Sequence, residues 1–312
     1  MSRESGYCNW EVPRARFATL GMTTLEFRPC LGGGEARDCL MANGDADYVL
    51  GTHDHEVARL GLQHRVWRSI TTDCWRRAGI TIGSRVVDVG AGPGYATVDL
   101  AEIVGPTGEV VAVERSARFL DVARQTCAAR GLSHVRFQHA DLMEQSLDAR
   151  DSDYTWCRWV ASFVASPEKL IQQIAGALRP GGLAIFHEYS HYETFRFMPR
   201  RPALEEFSEQ VMKSWVAAGG EPNVALQFPS LFREAGLEVI EANPRILTVS
   251  PRSYVWQWPA SFIEINLARQ RDLGHVTEEW CESVRREFRE AEADPTTLFT
   301  TPLFLEIVAR RS

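Results

Sequence analysis

Between residues 85 and 189 short apolar runs alternate with longer stretches in which apolar positions recur at helical spacing. The runs are RVVDV (85–89), EVVAVE (109–114), VRFQHAD (135–141), DYTWCR (153–158) and GLAIFHEY (182–189), with helical periods over 94–104, 116–130 and 167–178 between them. Short β-rich runs separated by helices predict a parallel sheet with helices on both faces. RPGG (179–182) supplies the turn into the fifth strand.

The pattern changes on either side. Upstream, Val57, Leu60, Trp67, Ile70 and Cys74 recur at helical spacing and predict one or two amphipathic helices over 54–78. Downstream come an aromatic, proline-containing segment (190–222), a helix (224–235), GLEVIEANPRILTVS (236–250), a helical stretch (252–292) and a last strand, LFLEIVA (303–309). The insertions at about 190–222 and 252–292 fall at the loop end of the sheet, where ligands of open α/β sheets bind, so they are placed to cap a pocket. Residues 1–41 show no sustained period and carry LGGGEARD, which reads as a disordered tail. Residues 42–80 then form an N-terminal helical segment and 81–312 the main domain with its cap.

Composition narrows the classes. The 312 residues are 45% hydrophobic, enough for a substantial core. The net charge is −7 and the one dense basic run is MPRRP (198–202), which speaks against nucleic acid as a partner. No apolar run reaches the ~18 residues of a membrane span and the first residues lack a signal-type apolar block, so the expected location is cytoplasmic, with no membrane partner. Seven cysteines (8, 30, 39, 74, 127, 157, 281) form no C-x-x-C pair, against a disulfide framework or structural zinc. Lys169 and Lys213 do not follow glycine, so no P-loop core is present. THDHE (52–56) lacks a matching ligand set and reads as a helix start, leaving no metal site.

The chemistry concentrates in VVDVGAGPGYATVDL (86–100). Counting from Gly90, Tyr95 stands where a dinucleotide loop needs its third glycine, and Asp88 would adjoin a pyrophosphate. The loop Gly90, Ala91, Gly92, Gly94 therefore suits a ligand with a cationic end, and S-adenosylmethionine is such a ligand. Glu114 ends the second strand, where it can accept from both ribose hydroxyls, with Arg115 beside it. Asp141 ends the third run and can accept from an adenine amino group, while Leu142 packs the ring. Arg158, after the fourth strand, either faces the cofactor's carboxylate or pairs with a surface acid.

VVDVGAGPG, VVAVE, HAD and ALRPGGLAIFHE follow in the order and spacing of the class I S-adenosylmethionine-dependent methyltransferases, which this chain resembles over about residues 80–190. The resemblance implies an α/β, Rossmann-like, doubly wound seven-stranded sheet whose last strand, 303–309, is antiparallel. YVLG (48–51) and EVARLGLQ (56–63) look like the N-terminal segment of small-molecule members, including the quinone C-methyltransferase type. In those relatives the segment closes over the cofactor, which makes Tyr48 and Gly51 candidate contacts. The NPPY-like motif of amino-group enzymes is replaced by CRWVASF, and a Pro-Cys pair occurs only as Pro29-Cys30.

His187, Glu188, Tyr189, His191 and Tyr192 crowd the end of the fifth strand, so His187 or His191 is the expected base. Phe195, Phe197, Trp215, Trp256, Trp258 and Phe262 are expected near an apolar acceptor pocket. The expected activity is methyl transfer from S-adenosylmethionine to a small, partly apolar acceptor at oxygen, nitrogen or carbon, in a protein for which a homodimer is allowed. An NAD(P)-dependent oxidoreductase and a non-catalytic cofactor-binding protein are the alternatives.

Overall fold

Helix α1, Asp54–Ala78, begins with Asp54 and Glu56 and finishes with Arg76 and Arg77, each charge placed to oppose the helix dipole. It is one continuous helix, stopped at Gly79, whose φ of 92° a side chain would resist. His64, Trp67, Thr71, Cys74 and Trp75 form its buried stripe. The computed structural model describes residues 54–312, so the expected tail and the candidates Tyr48 and Gly51 lie outside the described residues.

The first half of the chain continues with β1 (Arg85–Val89), α2 (Tyr95–Val104), β2 (Glu109–Glu114), α3 (Ala117–Ala129), β3 (Val135–His139), β4 (Ser152–Arg158), α4 (Pro167–Ala177) and β5 (Leu178–His191). It then adds β6 (Arg196–Met198), α5 (Pro202–Ala217), α6 (Phe228–Glu234), β7 (Leu237–Arg245), β8 (Thr248–Val249), α7 (Gln257–Asp272), α8 (Glu278–Ala293), β9 (Leu298–Thr300) and β10 (Leu303–Arg311). Ser116 and Ser166 accept from the backbone N–H of Phe119 and Lys169, which starts α3 and α4 where the sequence places them.

Seven strands pair in the order β3-β2-β1-β4-β5-β10-β7, with β10 antiparallel to both its neighbours and β1 to β5 parallel. The order reverses at β1 and β4, which opens a crevice beyond the carboxyl ends of those two strands. One face of the sheet packs on α4 and α6 through Leu170, Ile174, Phe228 and Phe232, and the other on α1 and α2 through Trp75, Leu100 and Val104. A third core joins Trp67 of α1 to α5, α7, α8 and a small sheet of order β6-β9-β8.

Several boundaries differ from the sequence reading. β3 ends at His139, which leaves Asp141 in the loop beyond it, and β5 starts at Leu178 rather than after the RPGG turn. The stretch 252–292 is two helices broken near Gly274, where φ is 73°. The three-stranded sheet was not expected, because strands this short carry no visible alternation. Among the described residues no helix is long and apolar enough to cross a membrane.

Candidate active site

The loop after β1 is bent onto β2 by two backbone bonds, Gly90 N and Ala91 N donating to Val113 O at 2.9 and 3.0 Å. Gly90 has φ 67°, and a Cβ there would stand 2.4 Å from Val160 Cγ2; one on Gly94 would stand 2.6 Å from Ala123 Cβ. These glycines are close-approach positions. A Cβ on Gly92, by contrast, meets nothing within 4 Å, because that residue borders open space. Gly92 N donates to Glu114 Oε2 and Ser116 N to Glu114 Oε1, both at 2.9 Å, so the loop and the end of β2 hold one carboxylate between them.

Asp88 is 2% exposed, and burial pushes its carboxyl up to about 6 against the pull of the Thr97 hydroxyl, which donates to Oδ2 at 2.6 Å, and of Arg158. Burial also raises Glu114. Asp141 Oδ1 accepts from Met143 N at 2.8 Å, which orients its side chain beside Leu142. The surface-acid alternative for Arg158 does not hold. Its Nη1 donates to Thr71 Oγ1 and its Nη2 to His64 Nδ1, both at 3.2 Å, and burial lowers it to about 10.

These groups line one cleft of about 300 Å³, within the range of small-molecule sites. One half is polar: Asp88, the glycine loop, Glu114, Arg115 and Asp141. The other is apolar, formed by Leu60, Trp156, Trp159, Val160, Phe163 and Val164. That wall is anchored from β5. Glu188, fully buried, accepts from Val160 N at 2.6 Å, Ala161 N at 2.8 Å and Ser162 Oγ at 2.8 Å, and burial raises its carboxyl to about 7. Trp159 takes a φ of 53°, uncommon for a bulky residue, with its N–H on His187 O.

The histidine expectation is corrected. His187 shares the α1 face of β5 with Ile185, is fully buried against Trp156, and places Nε2 3.1 Å from Glu306 Oε2; burial lowers it to about 4. His191 is exposed beside Ser190, and neither residue lines the cleft. Cys74, His187 and Glu306 bring ligand-type atoms within 4.8 Å of one another. Glu306 Oε1 already accepts from Arg77, Arg245 and Asn243, and Oε2 faces His187 Nε2, so two guanidinium groups already meet the charge of this carboxylate. The aromatic residues Phe195, Phe197, Trp215, Trp256, Trp258 and Phe262 pack in the cap core and none lines the cleft, although Trp215 backs the cleft residue Phe163 and Trp258 donates to the cleft residue Gln63. The residues missed in the sequence are Gln63, His64, Thr97, Trp159 and Phe163; Gln63 and His64 stand in a polar stretch, Gln-His-Arg, that gives no sign of facing a cleft.

Residues 86–182 match the methyltransferase domain family. Over 198 residues the chain is 28% identical to demethylmenaquinone methyltransferase of Geobacillus kaustophilus, covering 58% of this chain and 81% of that protein. The chain is an S-adenosylmethionine-dependent methyltransferase. The same methyltransferase fold occurs in a Bacillus halodurans protein assigned as a methyltransferase (17% identity, TM-score 0.51, 77% of this chain and 97% of that chain). It also occurs in phosphoethanolamine N-methyltransferase 2 of Haemonchus contortus, solved with phosphomonomethylethanolamine and S-adenosylhomocysteine (16% identity, TM-score 0.51, 81% and 57%).

The cofactor of this methyltransferase is S-adenosylmethionine, and the residues present suit it. Acids at or just beyond the carboxyl ends of three successive strands, an open glycine face and an anion and cation in one cleft match a zwitterionic nucleoside. The oxidoreductase alternative gains no support. Tyr95 fills the third-glycine position, its hydroxyl donates to Val57 O at 3.0 Å, and a Cβ on Gly61 would come within 2.8 Å of it.

Proposed function

We propose that the protein methylates a small, partly apolar acceptor, with a flat quinol-like ring as the class that suits the cleft. The observation that carries this reading is the apolar half of the cleft, where Trp156, Trp159 and Phe163 adjoin the polar half. The demethylmenaquinone methyltransferases among the relatives support the same class.

Bound S-adenosylmethionine supplies a methyl group already activated on a sulfonium. Glu114 spends two acceptor positions on Gly92 N and Ser116 N and keeps two for the ribose hydroxyls. Asp141 takes the adenine amino group and Leu142 the ring face. Asp88 takes the ammonium and Arg158 the carboxylate, while Gly90, Ala91, Gly92, Gly94 and Arg115 shape the rest of the seat. The protein's main catalytic work is alignment of the acceptor. Among the described residues no histidine lines the cleft, so a carbon flanked by an ionised ring hydroxyl suits it better than an amine that must first lose a proton.

The test is S-adenosylhomocysteine formation with a demethylated naphthoquinol, catechol and glycine as acceptors. Turnover is expected with the naphthoquinol. Glycine turned over at the same rate overturns the acceptor class, and cofactor binding without turnover on any acceptor makes the protein a non-catalytic binder.

A further inference from the structure

Gln63 lies on α1 in the wall of the cleft, one turn before Trp67. Its Oε1 accepts from Arg59 Nη1 at 2.9 Å and from Trp258 Nε1 at 3.0 Å. Guanidinium and indole N–H groups only donate, so the amide has one allowed orientation: oxygen toward Arg59 and Trp258, nitrogen away from them. Both donors are themselves fixed. Arg59 donates Nε and Nη2 to the two oxygens of Glu56, at 2.7 and 2.6 Å in a pair 2% exposed on each side, and Trp258 is 1% exposed against Trp67. Among the described residues, Gln63 Nε2 donates to none.

We infer that Gln63 is a specificity residue: its pinned amide offers an N–H donor to an oxygen of the acceptor, selecting ring compounds that carry a carbonyl or hydroxyl over hydrocarbons of the same shape. The inference rests on the reading that the apolar half of the cleft takes the acceptor. Leu60, Trp159 and Phe163, which line the same cleft as Gln63, carry carbon surfaces, so a polar contact there discriminates strongly.

The experiment measures binding, with S-adenosylhomocysteine present, of 2,3-dimethyl-1,4-naphthoquinone and of 2,3-dimethylnaphthalene, a matched pair differing in the two carbonyls. The quantity read is the ratio of the two dissociation constants, quinone over hydrocarbon, in the parent, in Gln63→Met and in Gln63→Glu. Gln63→Glu keeps an acceptor for Arg59 and Trp258 while turning the cleft-side donor into an acceptor and adding a negative charge. The ratio is expected to rise about five- to tenfold in Gln63→Met, the value of one hydrogen bond, and at least as much in Gln63→Glu, with hydrocarbon affinity nearly constant. An unchanged ratio in both variants overturns the role of Gln63 and leaves the acceptor site standing. Failure of the parent to bind either probe overturns the acceptor-site reading and this inference with it.

Discussion

Arg158 Nη2 donates to His64 Nδ1 at 3.2 Å, and His64 Nε2 stands 3.0 Å from Asp99 Oδ2. Because the guanidinium only donates, the imidazole is neutral, with its one N–H on Nε2 directed at the carboxylate. Arg68 completes the chain by donating to both oxygens of Asp99 at 2.7 and 3.1 Å. The cleft's cation is thus positioned from two helices, α1 and α2.

Protonating His64 replaces the acceptor facing Arg158 with a donor and sets two cations side by side. Burial lowers the His64 pKa from 6.5, against the hydrogen bond that His64 donates to Asp99, while Arg158 and Arg68 lower it further and Tyr95 stacks on the ring. A depressed histidine contributes stability that is complete above the unfolded value and lost as pH falls through the folded one. Cofactor affinity is therefore expected to drop below pH 6.5. His64→Asn, which keeps an acceptor, is expected to bind better in acid than His64→Ala, as titration calorimetry across pH 5 to 8 will show. Equal acid loss in the two variants rules this chain out.

Asp88 carries the opposite sign. Its pKa is raised from 3.8 to about 6, so its contribution to the ligand-free fold is complete below 3.8 and lost as pH rises through 6. Asp88→Asn is expected to raise ligand-free stability at pH 7.5 by up to about 3 kcal/mol while weakening S-adenosylmethionine at least tenfold. Paired melting and binding curves check it; a variant that loses both sinks the assignment.

Gly90 and Gly92 separate close approach from open cradle. Gly90→Ala drives a Cβ into Val160 and is expected to cost about 2–4 kcal/mol of stability. Gly92→Ala pays only for its φ of 55°, about 1 kcal/mol, yet fills the open face and is expected to weaken the cofactor more than the fold. Chemical denaturation and cofactor titration of both variants give the comparison.

His187→Ala is expected to lower stability by about 2–4 kcal/mol, since it opens a cavity and strips Glu306 of a donor. Cofactor affinity is expected to stay within about twofold. His191→Ala is expected to change neither. A rate loss in His191→Ala at unchanged KM for cofactor would restore a catalytic role.

The legible part of this protein is the part in which burial is two-sided. β1 and β2 read as nearly continuous apolar runs because helices cover both faces, so Asp88 and Glu114 stood out as acids at their carboxyl ends. His187 was misread because proximity in sequence to the end of β5 does not say which face a side chain takes. Its partner Glu306 lies 119 residues away. The cap aromatics failed for a related reason: their number was plain, but whether they faced the cleft or one another depends on how α5, α7 and α8 pack. Gln63 and His64 acquire meaning only when α1 lies against α2, β4 and α7.

The placement of β10 governs how the sheet is assembled. Among the described residues β7 pairs with β10 alone, and β10 follows every other strand in chain order. β7 therefore has its place in the sheet only where β10 lies along β5. Arg77 of α1 then finds its carboxylate on that same strand, in Glu306. Contacts of such long sequence separation carry a high loop-closure cost, and the carboxyl-side half of the sheet and the anchoring of the first helix both depend on the one strand β10.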